Sequence, residues 1–207
     1  MTDLSLNSTA QKQQLRAALL AQRNAEDAGA RAAADARIKT HLESLPLFQE
    51  AQSVFCYLSM GSEVDTRSLI ESLLARGKTV CLPRCQGNGI MLAHAVYSLD
   101  HLETGALGIP APAESCPVLE PGALDLIIVP CVACDSFGYR IGYGGGYYDR
   151  YLAAAKGDTG AAAKQPVTVA LCRESNRQAA LPVESHDLPV DVIVTDAEII
   201  QPRPKKL

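Results

Sequence analysis

The chain has no basic surplus. Its 19 Lys and Arg stand against 23 Asp and Glu, leaving a net charge of −4 over 207 residues. A general nucleic-acid binder would show a cationic excess or stripe, so no nucleic-acid partner is expected. Long apolar runs are also missing. The longest, Leu126 to Cys134, falls well short of the roughly 20 residues of a membrane span and contains Pro130. No membrane association is expected. The opening residues are polar and carry no apolar targeting stretch. The seven cysteines, at 56, 81, 85, 116, 131, 134 and 172, are odd in number and follow no disulfide spacing. Reduced thiols in a cytoplasmic protein are the expectation. No internal repeat or low-complexity stretch is visible.

What is present suits one globular domain. Hydrophobic residues make up 47% and charged residues 20%, enough to bury a sizeable core. Residues 1–9 are rich in Ser, Thr and Asn and are expected to fray. Apolar spacing predicts helices over about 10–24 and 26–44, the second carrying Ala34, Ile38, Leu42 and Leu45, with Pro46 ending the pair. Strands are then predicted at 53–58, 79–82 and 90–97, with a helix from Asp65 or Thr66 to Gly77 between the first two. Residues 100–123 read mostly as loop. Leu126-Ile127-Ile128-Val129 is the strongest strand signal. It leads into a loop over 130–145, a helix over about 146–156, a small-residue linker over 157–166, and strands at 167–171 and 191–195. Strands apolar on both faces, alternating with helices, imply one open, mostly parallel, three-layer Rossmann-like α/β sheet with the N-terminal helical pair packed on it. The domain is expected to span 10–200, followed by a solvated basic tail over 201–207. Ligands then belong at the carboxyl ends of strands.

The segment Arg140-Ile141-Gly142-Tyr143-Gly144-Gly145-Gly146-Tyr147-Tyr148-Asp149-Arg150 falls between the strongest strand and a helix. Glycines remove side chains, so backbone N–H groups can form an anion-binding nest. The positive N-terminus of the following helix points at the same place. Arg140 and Arg150 flank the loop, and Asp149 in the first helical turn is suited to holding a cation on phosphates. The plain alternative is a flexible glycine turn before a surface helix. Known phosphate motifs do not fit. Gly77-Lys78-Thr79 looks like the end of a Walker A loop, but Ser72 stands where its first glycine belongs. A G-x-G-x-x-G fingerprint starting at Gly142 meets Tyr147 at its last glycine.

Other candidates are weaker singly. Cys131-Val132-Ala133-Cys134 follows a strand instead of opening a helix, so small apolar side chains are a better reading than a redox pair. Lys12 and Arg16 share a helix face at i, i+4, which is usually a solvated charged face. Glu63, after the first strand, is placed to accept hydrogen bonds from a substrate amine or amide. Pro83-Arg84 ends the second strand in a similar position. His186-Asp187 precedes the last strand and reads alone as a turn or cap.

Taken in order, these pieces resemble the 5-formyltetrahydrofolate cyclo-ligases, also called methenyltetrahydrofolate synthetases. The resemblance spans nearly the whole chain. It rests most on Asp125-Leu126-Ile127-Ile128-Val129-Pro130, Asp135, Gly138, Arg140 and the block from Gly142 to Leu152. Lys12-x-x-x-Arg16, Leu58-Ser59, Glu63-Val64-Asp65-Thr66, Leu82-Pro83-Arg84, Leu181-Pro182, His186-Asp187 and Asp191 also match in order. The resemblance implies an ATP- and Mg²⁺-dependent ligase of folate one-carbon metabolism. Such an enzyme converts 5-formyltetrahydrofolate to 5,10-methenyltetrahydrofolate with release of ADP and phosphate. It implies that Lys12, Arg16, Arg140, Ile141, Gly142, Tyr143, Gly144, Gly145, Gly146, Tyr147 and Tyr148 hold ATP. Leu58, Glu63 and residues 143–147 line the folate, and Asp149 and Asp187 serve Mg²⁺. Arg140, Tyr147 and Asp149 stand as the catalytic set. Small molecules are the expected partners, acting on a monomer. One departure stands out: many members carry Lys at the centre of the glycine loop, where this chain has Gly145. That keeps open a non-catalytic folate- or nucleotide-binding member of the same fold. A small-molecule kinase with another acceptor is the further alternative.

Overall fold

Leu126-Ile127-Ile128-Val129 is apolar at every position, and such a strand must be covered on both faces. The computed structural model, which describes residues 3–157 and 165–202, shows how this is done. The chain opens with α1 (Asp3–Ala25), α2 (Ala28–Ser44) and α3 (Pro46–Glu50), followed by β1 (Ser53–Cys56), α4 (Arg67–Ala75), β2 (Thr79–Cys85) and β3 (Met91–Val96). Short strands β4 (Glu103–Thr104), β5 (Pro110–Ala111) and β6 (Val118–Leu119) lead to β7 (Leu126–Val129). Then come β8 (Ala133–Asp135), β9 (Arg140–Ile141), α5 (Tyr147–Gly157), β10 (Val167–Leu171), β11 (Arg177–Gln178), β12 (Val192–Val194) and β13 (Ile199–Ile200).

Eight strands form one open sheet in the order β13-β12-β10-β7-β1-β2-β3-β6. The run β12-β10-β7-β1-β2 is parallel, and antiparallel strands extend both edges. Alternation along the strands feeds two separate cores. Val54, Cys56, Leu126, Ile128, Val169 and Leu171 pack with Ile38 and Leu42 of α2 and Leu69, Ile70 and Leu73 of α4. Phe55, Ile127, Val129, Ala170 and Ile193 pack with Tyr151 and Leu152 of α5. The three-layer α/β expectation therefore holds, with a mostly parallel sheet at its centre. No helix among the described residues is long and apolar enough to cross a membrane.

The N-terminal pair divides its work. α2 covers the large sheet, whereas α1 lays Leu15, Leu19 and Leu20 on Val132, Ala133, Ile141 and Leu181. Those partners belong to or flank a small second sheet, ordered β11-β8-β9, of which β8 and β9 lie inside the segment expected to be loop. A pairing as short as Ala133↔Ile141 and Cys134↔Arg140 leaves no periodic signature to read. Gly138 makes its turn possible. Its φ is +92°, and a Cβ there would lie 2.8 Å from the Val190 carbonyl oxygen. The expected loop over 100–123 likewise contains β4, β5 and β6, strands of two residues each. α1 begins at Asp3, inside the segment expected to fray. Bonds from Thr9 and Lys12 to Glu184 tie this end of the helix down. Most of the expected linker over 157–166 and most of the basic tail lie outside the described residues.

Strand β1 stops at Cys56, earlier than expected, and a built turn follows. The Ser59 amide donates to Thr66 Oγ1 at 3.0 Å, and the Thr66 amide donates back to Ser59 Oγ at 3.1 Å. Arg173, with its side chain 4% exposed, anchors the same turn. It donates to Asp35 at 2.8 and 2.7 Å and to the carbonyls of Ser62 and Glu63 at 2.9 and 3.1 Å. Removing one partner of a buried ion pair leaves an uncompensated charge and costs about 3–5 kcal/mol. Asp35→Ala is expected to lose stability on that scale in urea unfolding. A loss below about 1 kcal/mol would show that solvent already compensates Arg173.

Candidate active site

The order of the large sheet reverses at β1, whose neighbours β2 and β7 lead away in opposite directions. Ligands in open α/β sheets bind outside the carboxyl ends of the strands at such a point. A cavity of about 600 Å³ opens there, a size suited to small molecules. Lys12, Arg16, Leu58, Glu63, Asp187 and all of 140–149 line it. The sequence candidates are thus brought to one place by four separate stretches of chain.

The glycine loop forms one wall. Gly144 and Gly146 have φ of +96° and +65°, a region that side-chain-bearing residues avoid. α5 starts directly after them, with Asp149 in its first turn. Arg150 does not face the cavity as a phosphate cation would. Its Nη2 donates to the Gly145 carbonyl at 2.7 Å and its Nε to the Gly89 carbonyl at 3.0 Å. The guanidinium also sits 5.4 Å from the centre of the Tyr147 ring. Arg150 clamps the loop to the β2–β3 hairpin. The same packing gives a local reason for Gly145. A Cβ there would lie 2.9 Å from Tyr147 Cδ2, so a lysine would force the ring to move.

Cations and carboxylates form the rim. Lys12 donates to Asp187 and, at 3.1 Å, to Glu184 Oε2. Arg16 Nε donates to the Gly142 carbonyl at 2.6 Å. Arg140, its side chain 4% exposed, donates to Asp149 Oδ1 at 2.7 Å and to the Leu188 carbonyl at 3.1 Å. Hydrogen bonds from Thr9 and Lys12 hold the Glu184 carboxyl below its ordinary pKa. Ligand atoms of Glu184, His186 and Asp187 lie within 4.8 Å of one another, and Asp149 lines the same cavity. Carboxylates opposite a phosphate-type loop fit the needs of Mg²⁺, which takes one or two protein oxygens and completes its shell with phosphate and water.

The inner end is less polar. Leu58 is buried, and Met91, Ile109 and Pro110 contribute to the wall. Glu63 Oε2 accepts the Met60 amide at 2.7 Å. Burial raises the pKa of Glu63, opposed by the Met60 amide, the Tyr143 hydroxyl and Arg23. Tyr148 stacks on Phe55 with centroids 6.1 Å apart. Its hydroxyl is buried without a hydrogen-bond partner among the described residues. A ligand donor or acceptor at that point would satisfy it.

Two residues, Arg23 and Glu184, escaped the sequence reading. Arg23 donates to Ser62 Oγ at 3.0 Å, the Cys131 carbonyl at 3.3 Å and the Tyr143 hydroxyl at 2.7 Å. It joins the β1 turn, the β7 end and the glycine loop. Its position at i+11 from Lys12, on the same helical stripe as Arg16, was the available signal. Glu184 had only its nearness to His186-Asp187. Cys131 and Cys134 are both buried, and Cys131 donates to the Leu171 carbonyl at 3.3 Å. A neighbouring thiol, Cys172, and burial push the Cys131 pKa up. Inert packing thiols fit these surroundings.

Residues 8–196 match the profile described as the 5-formyltetrahydrofolate cyclo-ligase family. This chain belongs to that family. The 5-formyltetrahydrofolate cyclo-ligase of Escherichia coli strain K12 is 34% identical over 165 residues, covering 77% of this chain and 86% of that protein. The enzyme of that name from Saccharomyces cerevisiae is 31% identical over 208 residues, covering 89% and 95%. Among solved structures, the Aquifex aeolicus 5,10-methenyltetrahydrofolate synthetase superposes with a TM-score of 0.80 at 31% identity, covering 95% of each chain. The Mycoplasma pneumoniae synthetase gives 0.70 at 20% identity and supports the fold alone.

If the cyclo-ligase loop presents its N–H groups through left-handed glycines, its shape must matter apart from charge. Gly146→Ala adds about 1–2 kcal/mol of backbone strain, and its Cβ would meet Arg150 Nη1 at 2.8 Å. ATP affinity by calorimetry is expected to fall about 5- to 30-fold. Unchanged affinity would rule out this geometry as the basis of binding.

Proposed function

We propose that this chain is an ATP- and Mg²⁺-dependent 5-formyltetrahydrofolate cyclo-ligase. It converts 5-formyltetrahydrofolate to 5,10-methenyltetrahydrofolate and releases ADP and phosphate. One observation carries the reading. The glycine loop, the cations of α1, the Asp149 and Asp187 carboxylates and the Leu58–Glu63 end all face a single cavity. Two ligands can therefore meet without an intermediate leaving the protein. Family membership supplies the reaction class.

The chemistry asked of the residues is mainly positioning and charge neutralisation. A formamide oxygen is a poor leaving group. Transfer of the γ-phosphoryl group to that oxygen breaks the bond to ADP and gives an iminium phosphate. N10 then attacks the former formyl carbon, loses its proton, and the C–O bond breaks to release phosphate. Loop N–H groups, Arg16, Lys12 and Arg140 stabilise the charge that builds on the phosphoryl oxygens. Bound Mg²⁺, held by Asp149 and Asp187, would neutralise further phosphate charge. Tyr147 lines the same cavity and would shape both pockets. Glu63 accepts hydrogen bonds from the pteridine amine or amide.

Purified protein given Mg-ATP and 5-formyltetrahydrofolate is expected to generate the ultraviolet-absorbing methenyl chromophore. Folded protein that gives no chromophore would sink the reading. Asp149→Asn should lower kcat on the order of 100-fold or more, because metal-borne charge stabilisation is worth several kcal/mol. Full activity would remove Asp149 from the metal.

Glu63 gives a pH test. Its pKa is raised by burial, so its ionised, accepting form is lost as pH falls through a value above its ordinary one. KM for folate is expected to rise toward acid from that point. Glu63→Gln should raise KM at neutral pH and flatten the acid limb. An unchanged acid limb in the variant would assign it to another group.

A further inference from the structure

The charged groups at the cavity rim are paired crosswise. Asp187, offered to Mg²⁺, is bonded to Lys12. Asp149, the other carboxylate so offered, is bonded to Arg140. Each carboxylate meant for the metal already holds a cation meant for phosphate. Lys12 Nζ and the Glu184 amide both donate to the same Asp187 oxygen, Oδ2. An ammonium and a dication cannot share that oxygen, because like charges a few ångströms apart repel strongly where water is partly excluded.

The two pairs differ in freedom. Arg140 is buried and also pinned on the Leu188 carbonyl. Lys12 sits on the outer helix α1, on a flexible four-carbon stem, with its other bond to Glu184. Glu184 is fixed in turn by Thr9, which donates to Oε1 at 2.7 Å. Lys12 is the group that can move from carboxylates to phosphate without disturbing a core.

We infer that the ligand-free site is self-neutralised, with Lys12 parked on Asp187 in place of a divalent cation. Metal and nucleotide enter as one unit by exchange of partners, and Glu184 is the positioning residue that holds Lys12 until they do. The inference rests on the nucleotide–metal reading of the site. It implies that the free protein binds a bare divalent cation poorly, because Lys12 competes for the same Asp187 oxygen. It also implies that nucleotide without metal is held weakly, because releasing Lys12 alone leaves Asp187 and Glu184 uncompensated.

The test uses Mn²⁺, which takes similar oxygen ligands and whose free form is read by electron paramagnetic resonance. Nucleotide-free and folate-free protein is titrated as wild type, Lys12→Met and Lys12→Arg. Lys12→Met is expected to tighten Mn²⁺ binding about tenfold or more. Lys12→Arg keeps the competing cation and is expected to give no such gain. Lys12→Gln is a second neutral replacement should the methionine variant not fold. Equal or weaker Mn²⁺ binding by the neutral variants overturns the exchange. Adding Glu184→Gln to Lys12→Met is expected to cost Mn²⁺ affinity only the few-fold that loss of a nearby charge gives. A loss of about a hundredfold or more would make Glu184 a metal ligand and overturn its parking role. No substrate is present, so these outcomes stand apart from the chromophore assay. A failed assay with the expected titration would overturn the substrate reading alone.

Discussion

Arg140 is almost wholly buried, and a buried guanidinium must be paired. Its carboxylate partner, Asp149, lies on the far side of the glycine loop, in the first turn of α5. Closing that ion pair brings β9 and the helix start together and obliges the intervening chain to fold back on itself. Only residues that tolerate positive φ make such a return, which is where Gly144 and Gly146 fall. Arg150 then locks the returned loop from outside through its bonds to Gly89 and Gly145. The shape of the glycine loop thus follows from one electrostatic requirement and two backbone conformations.

Helix α1 supplies what the sheet does not. It packs on the small sheet, and its charged stripe runs along the cavity rim. Arg23 at one end ties three loops together, while Lys12 at the other meets Asp187 and Glu184. An acidic protein has few cations to spare, and this arrangement gathers them at one place. The switch point at β1 provides the opening, and Arg173 with Asp35 keeps the turn after β1 in register with it.

Much of this was legible in the sequence, for identifiable reasons. Strands apolar on both faces revealed the central parallel sheet, and the clustering of glycines before a helix marked the loop. The family resemblance then linked residues distant in sequence, Lys12 with Asp187 and Glu63 with Tyr143. The β8–β9 hairpin was not legible, because strands of two or three residues carry no periodicity and β8 is built from Ala, Cys and Asp. Arg150 reads in the sequence only as a flank of the loop, because its clamp is on the backbone carbonyls of Gly145 and Gly89, which no side-chain pattern encodes. Glu184 was missed because its importance lies in a partner at the opposite end of the chain, which no local pattern encodes.

Direct transfer of the γ-phosphoryl group to the formyl oxygen within one cavity is the step on which the proposed activity turns. It is tested most directly with 5-formyltetrahydrofolate carrying ¹⁸O in the formyl oxygen. Phosphorylation of that oxygen and its expulsion by N10 require the label to leave in inorganic phosphate, detected by mass spectrometry at one ¹⁸O per turnover. Unlabelled phosphate, with ¹⁸O released to water, would contradict it.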